Sequence, residues 1–195
     1  MTRESNTGAP SVGEVTVLLD KLAAGEQAAL DELFPLVYNE LRRIARGQRY
    51  RNTDSATLDT TGLLHEAYLK FAGKASHAYN HRHHFYAVAA TAMRHVLLDE
   101  AKRRLRQKRG GQARQVSLDP EQLQADEQAE RLLIINDGLE RLGRLQPRAR
   151  KVVEYRFFGG LTESEIAQLL AVDTRTVRRD WAKAKAWLGL ALAAD

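Results

Sequence analysis

The sequence predicts an all-α fold, arranged as two small helical domains on a flexible linker. Apolar residues recur at three- and four-residue spacing along most of the chain, the period of a helix with one buried face. The period-two alternation of strands is nearly absent, and only four prolines interrupt the pattern. The pattern breaks once, between Gly110 and about Glu130, where Gly, Gln, Ser, Asp and Glu surround Pro120. That break reads as a linker with one short helical stretch at most. A chain of 195 residues has room for two small cores, one on each side of it.

The first element is expected from Glu14 to about Ala23, with Val15, Leu18, Leu19 and Leu22 on one face and Gly25 just past its end. A second begins near Gln27 and carries Leu30, Leu33, Leu41 and Ile44. Pro35 should kink it or mark a new start, because proline removes a backbone donor and crowds the preceding turn. A third spans roughly Thr61 to Phe71, burying Leu64, Ala67, Tyr68 and Phe71, and stops at Gly73. The fourth runs from about His84 to Leu105. Its first half is rich in alanine and apolar, whereas its end, Lys102-Arg-Arg-Leu-Arg106 with Lys108 and Arg109, is strongly cationic. Beyond the linker the helical pattern resumes at Leu132 and continues to Leu192, enough for four helices around both tryptophans. The domain boundaries read as a disordered 1–13, a first domain 14–108, a linker 109–130 and a second domain 131–195.

Composition narrows the function. No cysteine is present, which excludes structural disulfides, thiolate metal sites and thiol redox switching. Thirty Lys plus Arg against twenty-five Asp plus Glu give a formal charge of +5, which favours an anionic partner. Residues 1–13 lack the apolar core of a signal peptide, and no run approaches the roughly 20 apolar residues of a membrane span. A soluble, cytoplasmic protein without membrane insertion is expected. His77, His81, His83 and His84 invite a metal reading, but the loop supplies no cysteine and no nearby acidic ligand, so polar loop residues that touch DNA are preferred and no metal or cofactor is assigned. Scattered Ser, His and Asp form no nucleophile arrangement, and no glycine-rich phosphate loop follows a strand. The chain is therefore read as a non-enzyme, with no catalytic residues.

The sharpest signal is Leu161-Thr-Glu-Ser-Glu-Ile-Ala-Gln-Leu-Leu-Ala-Val-Asp-Thr-Arg-Thr-Val-Arg-Arg-Asp-Trp181. Thr162 with Glu165 three residues on makes a capping box, and Ile166, Ala167 and Leu170 form the buried stripe of the helix it starts. Ala171 and Val172 make the turn. Asp173 caps the next helix, whose Val177, Trp181 and Ala184 return to the core. This is a helix-turn-helix. It leaves Thr174, Arg175, Arg178, Arg179 and Lys183 outward, where the second helix of such a motif enters the major groove and Arg can pair with guanine or phosphate. In the first domain the third helix can bury Leu64 and Tyr68 while offering Leu63, His65, Glu66 and Leu69 in part to a partner.

These segments together resemble a family. Leu139-Glu-Arg-Leu142, Pro147-Arg-Ala-Arg150, Val153, Arg156-Phe-Phe-Gly-Gly-Leu161, Glu165-Ile-Ala, Thr176-Val177 and Trp181 resemble region four of the extracytoplasmic-function (ECF) sigma factors of RNA polymerase. Leu63-Leu-His-Glu-Ala-Tyr-Leu69 is similar to region 2.2 of the subgroup that reads His-Glu-Ala-Tyr-Leu there, and Phe85 through Arg104, with Asp99, resembles regions 2.3 and 2.4. The matched segments occur in order over nearly the whole chain.

The resemblance implies that the first domain binds the clamp helices of core RNA polymerase and opens the minus-ten element, while the second reads minus-thirty-five. It implies that Leu63, His65, Glu66 and Leu69 meet polymerase. It also implies that Asn80 reads a flipped base, while Arg94, His95, Lys102 and Arg103 lie along the promoter duplex. An anti-sigma protein is a further partner it allows for. The rival reading is a helix-turn-helix regulator that binds DNA without polymerase, although no coiled-coil seam for a dimer is visible.

Overall fold

The computed structural model describes residues 12–52, 59–72, 79, 81–110 and 120–193, and among these every regular element is helical. Helix α1 is Val12–Ala23, α2 Ala29–Asn52, α3 Thr60–Ala72 and α4 Arg82–Gly110. They are followed by α5 Pro120–Leu145, α6 Pro147–Val153, α7 Glu163–Leu170 and α8 Thr174–Ala193. Between α6 and α7 a single wider π turn, Glu154–Phe158, continues α6.

The first four helices form as their apolar spacing requires. Val15, Leu18, Leu19 and Leu22 of α1 are all buried against Leu30, Leu33, Val37, Leu41 and Ile44 of α2 and Leu63, Leu64 and Ala67 of α3. Gly25 closes α1 with φ +92°. Helix α2 runs through Pro35 without interruption. Pro35 is exposed, so water can satisfy what the missing N–H leaves unpaired, while Leu33 and Val37 on either side are buried and hold the helix to one course. Tyr68 is half-exposed: its ring packs edge-on against Phe34, and its hydroxyl donates to Asp31. Residues 73–78, including the expected stop at Gly73, lie outside the described residues.

Helix α4 is the centre of the molecule. Phe85, Ala89, Met93, Leu97 and Ala101 pack into the first core, and Ala87 packs on the opposite side with Val152, Leu161, Ile166, Ala167 and Val177. A helix that is apolar around most of its first half must be covered on several sides, and α2, α3, α5, α7 and the π turn do this.

The expected linker is different in kind. Residues 120–130 are the first turns of α5, begun by Pro120 in its first position, and they lie along α4. Ala129 and Leu132 join the first core, and Arg104 of α4 bonds Asp126 at 2.5 Å and the Gln122 carbonyl at 3.1 Å. Further on, Leu139 and Leu142 of the same helix join Ala149, Val153, Phe158 and Ala184 in a separate cluster. Helix α5 therefore belongs to both cores. Residues 111–119 lie outside the described residues.

Candidate nucleic-acid interface

Every joint of the helix-turn-helix is bonded. Thr162 Oγ1 accepts from the Glu165 N–H at 3.3 Å, and the Thr162 N–H donates to Glu165 Oε2 at 2.7 Å, so both halves of the capping box are made. Burial pushes the Glu165 carboxyl up, but the Thr162 bonds outweigh it and hold it below its ordinary range. Helix α7 ends in Ala171 at φ 51°, ψ 46°, the left-handed position the turn requires. The Val172 N–H reaches back to the Ala167 carbonyl at 3.0 Å. Asp173 Oδ1 then accepts from the Thr176 N–H at 2.7 Å and opens α8, a bond that keeps its carboxyl below the usual range.

The way into the motif is equally constrained. The π turn places Gly159 so that a Cβ there would lie 2.7 Å from the Tyr155 carbonyl oxygen, and Gly160 takes φ +67°. The adjacent glycines of Phe-Phe-Gly-Gly-Leu are thus needed for two separate reasons, close approach and handedness.

On α8, Val177 and Ala184 are fully buried and Trp181 half-buried, while Arg175, Arg178, Arg179 and Lys183 are exposed and Thr174 is partly so. Asp180 is buried on the same helix and meets Arg148 of α6 at 2.5 Å, which fixes the rotation of α8 about its axis. Arg178 is held by Glu163 at 2.6 Å; Glu163 also takes Arg156 at 2.8 Å, and the Arg156 guanidinium lies 4.7 Å from the Trp181 ring. A shallow hollow beside this face is lined by Ala167, Ala171, Val172 and Asp173 together with Arg148, Ser164, Gln168, Thr174, Thr176 and Arg179, and these last six can donate hydrogen bonds to an anionic backbone. None of Arg148, Ser164, Gln168 and Thr176 was named as a DNA contact from the sequence, although Arg148 and Thr176 lie in the segments that carry the resemblance. Ser164 and Gln168 stand four apart on the helix the capping box announces and could have been found there, whereas Arg148 is placed by its long-range pairing with Asp180.

In the first half, His65 and Glu66 are exposed on α3 and Leu69 is 50% exposed. Leu63 is not with them: at 0% exposure it is inside the core, because with Ala67 four residues on it completes the buried stripe of α3. Glu66 lines a groove between α3 and α4 with Lys70, Asp99, Glu100, Arg103 and Arg106, braced by Lys70 on Asp99 at 2.7 Å and Arg103 on Glu100 at 2.6 Å. Lys102 and His95 are exposed on α4.

Arg94 is the sharpest departure. It is 1% exposed, and its guanidinium donates to Asn136 Oδ1 at 2.7 Å and Glu154 Oε1 at 2.9 Å and lies 5.4 Å from the Phe158 ring. In this arrangement it is not on a surface that DNA could reach. A charged side chain is buried only where partners compensate its lost hydration, and these partners come from the other half of the chain. Asn80 lies outside the described residues, as does His77. His83 faces Glu165 at 3.2 Å, and among the described residues no three His, Asp or Glu side chains converge on a metal-sized site.

Comparison with protein families completes the picture, because the family model described as ECF sigma factor matches residues 12–194. The chain belongs to the ECF sigma factor family. An ECF sigma factor is an RNA polymerase sigma factor, and DNA binding and transcription initiation are its work. The rival regulator explains only the second half, whereas the match includes both halves and α5 between them. Comparison with curated proteins and with solved structures gives no match. Among the described residues no helix is long and apolar enough to cross a membrane.

Proposed function

We propose that this sigma factor binds core RNA polymerase through α3, opens the minus-ten element beside α4 and reads the minus-thirty-five element with α8. The observation that carries this reading is the division of α8 into a buried side, Val177 and Ala184, and an exposed cationic side, Arg175, Arg178, Arg179 and Lys183, next to a turn capped on both flanks. In a docked helix-turn-helix the start of the second helix lies in the major groove and the first helix crosses the backbone. Thr174 and Arg175 then fall nearest the base edges, and Arg148, Ser164 and Gln168 beside the phosphates.

Toward polymerase the surface is His65, Glu66 and Leu69 with the groove behind them, and Leu63 supports it from the core. Toward the minus-ten element, His95, Lys102 and Arg103, with Asn80 in the segment before α4, hold a strand whose bases have been extruded. Unstacking costs a few kcal/mol per step and is offset by captured bases and cation–phosphate contacts, so no nucleotide hydrolysis is needed. The chain supplies no catalytic group on this reading, and the chemistry belongs to polymerase. Residues 14–108 and 131–195 are the two working domains, with α5 bridging them, and an anti-sigma protein would compete for the same surfaces.

Promoter libraries randomised at the upstream element test the α8 assignment, using the holoenzyme with Arg178→Ala and Arg179→Ala at several salt concentrations. Loss of a base-reading Arg should cost about 1–3 kcal/mol and relax preference at one position, whereas loss of a phosphate contact should weaken all sequences and flatten the salt dependence. If neither variant alters affinity, salt slope or preference, α8 is not the reader.

A further inference from the structure

The cations of α8 differ in what holds them. Arg178 donates through Nε to Glu163 Oε2 at 2.6 Å, while Glu163 Oε1 accepts from Arg156 at 2.8 Å. Arg156 is itself fixed, since its guanidinium lies 4.7 Å from the ring of Trp181, a side chain that packs against both of the smaller apolar clusters. A line of contacts therefore runs from the core through Arg156 and Glu163 out to Arg178, whose side chain is 67% exposed. Arg179, one residue on, lines the hollow that holds Arg148, Thr174 and Thr176 instead.

The Nε group lies on the side edge of a guanidinium, so its engagement by Glu163 leaves the end edge, Nη1 with Nη2, for a second partner. That pair of donors matches the O6 and N7 acceptors that guanine presents in the major groove. Holding the fork in one orientation also removes rotamer freedom that an untethered arginine would lose on binding. Both Glu163 oxygens are taken, so the carboxylate acts through arginine and not on a base itself. Two arginines on one carboxylate keep the group positive toward DNA.

We infer that Glu163 is a positioning residue, which presents Arg178 end-on to one guanine of the upstream element and withholds it from the backbone, whereas Arg179 meets a phosphate. The inference rests on the reading that α8 lies in the major groove, and it deepens that reading by assigning the base. By helical spacing Arg178 stands one turn beyond Thr174 and Arg175, the residues which that reading turns to the base edges.

Holoenzyme assembled from core polymerase and the full chain tests this on promoter libraries randomised at the upstream element, at several salt concentrations. Arg178→Ala should abolish a guanine preference of roughly 5- to 150-fold at one position. Glu163→Ala should lose most of the preference at that same position, and should steepen the salt dependence by about one phosphate contact as the released Arg178 reaches the backbone. A merely structural role would lower Tm without singling out that position. Glu163→Gln keeps an oxygen that can accept from Nε and should retain more of the preference than Glu163→Ala. The double variant should lose no more preference there than Arg178→Ala alone. Arg179→Ala should weaken all sequences alike. Unchanged preference in Glu163→Ala, or a uniform loss across sequences in Arg178→Ala, would overturn the assignment. If the wild-type holoenzyme shows no sequence preference anywhere in the upstream element, the reading of α8 as the reader falls, and the assignment with it.

Discussion

Arg178, on the exposed face of α8, is held in one orientation by its neighbours. Glu163 holds it and is held in turn by Arg156, and bonds from Arg178 and then Arg156 keep the Glu163 carboxyl below the ordinary range of a glutamate. A carboxyl whose value is lowered on folding adds stability above its unfolded value, and that contribution is lost as pH falls through the lowered one. Carboxyl-detected NMR titration should therefore find Glu163 low in the wild-type protein and shifted upward in Arg178→Ala; an unmoved value would mean the tether does not exist in solution. The leucines of α3 make a sharper contrast. Leu63→Ala should destabilise the fold by about 2–5 kcal/mol in chemical denaturation, since it opens a cavity at a fully buried site. Glu66→Ala, at an exposed site, should leave stability unchanged and weaken comigration with core polymerase. The sequence pattern placed Leu64 and Ala67 inside correctly but offered Leu63 to a partner, because adjacent leucines on a helix cannot be told apart until the angle of the packing neighbour is known.

At the scale of elements, the joints that rest on local chemistry were legible and the others were not. The Thr162–Glu165 box and the Asp173 cap follow from residue types at fixed offsets, and each is formed. The π turn was not foreseen: in it the Gly159 N–H donates to the Glu154 carbonyl at 3.0 Å, and Gly159 lies close against the Tyr155 carbonyl oxygen. Two substitutions separate these effects. Ala171→Gly relieves the strained φ and should stabilise the protein by about 1 kcal/mol, seen as a rise in Tm of about 2–4 °C. Gly159→Ala forces a methyl group against a backbone carbonyl and should destabilise by about 1–3 kcal/mol in the same thermal melt.

For the whole molecule, the feature hardest to read in advance was α5. Its first ten residues look like a linker because its buried positions there are alanines, Ala125 and Ala129, which carry little hydrophobic signal but allow close approach to α4. Their burial depends on a neighbour some twenty residues away in sequence, so composition alone could not reveal it. The same holds for Arg94: a cation on an otherwise apolar helix reads as a surface residue until its partners, Asn136 and Glu154, are brought to it by the fold. What was legible throughout was the order of helices and the exposed cationic face of α8. The most direct measurement is transcription in vitro from a genomic fragment library, with core polymerase plus this protein and with each component alone, followed by mapping of start sites. A sigma factor predicts transcripts only in the mixture, starting downstream of one shared pair of elements at minus-ten and minus-thirty-five. Transcripts that are absent, or that start at the same sites without this protein, would contradict that role.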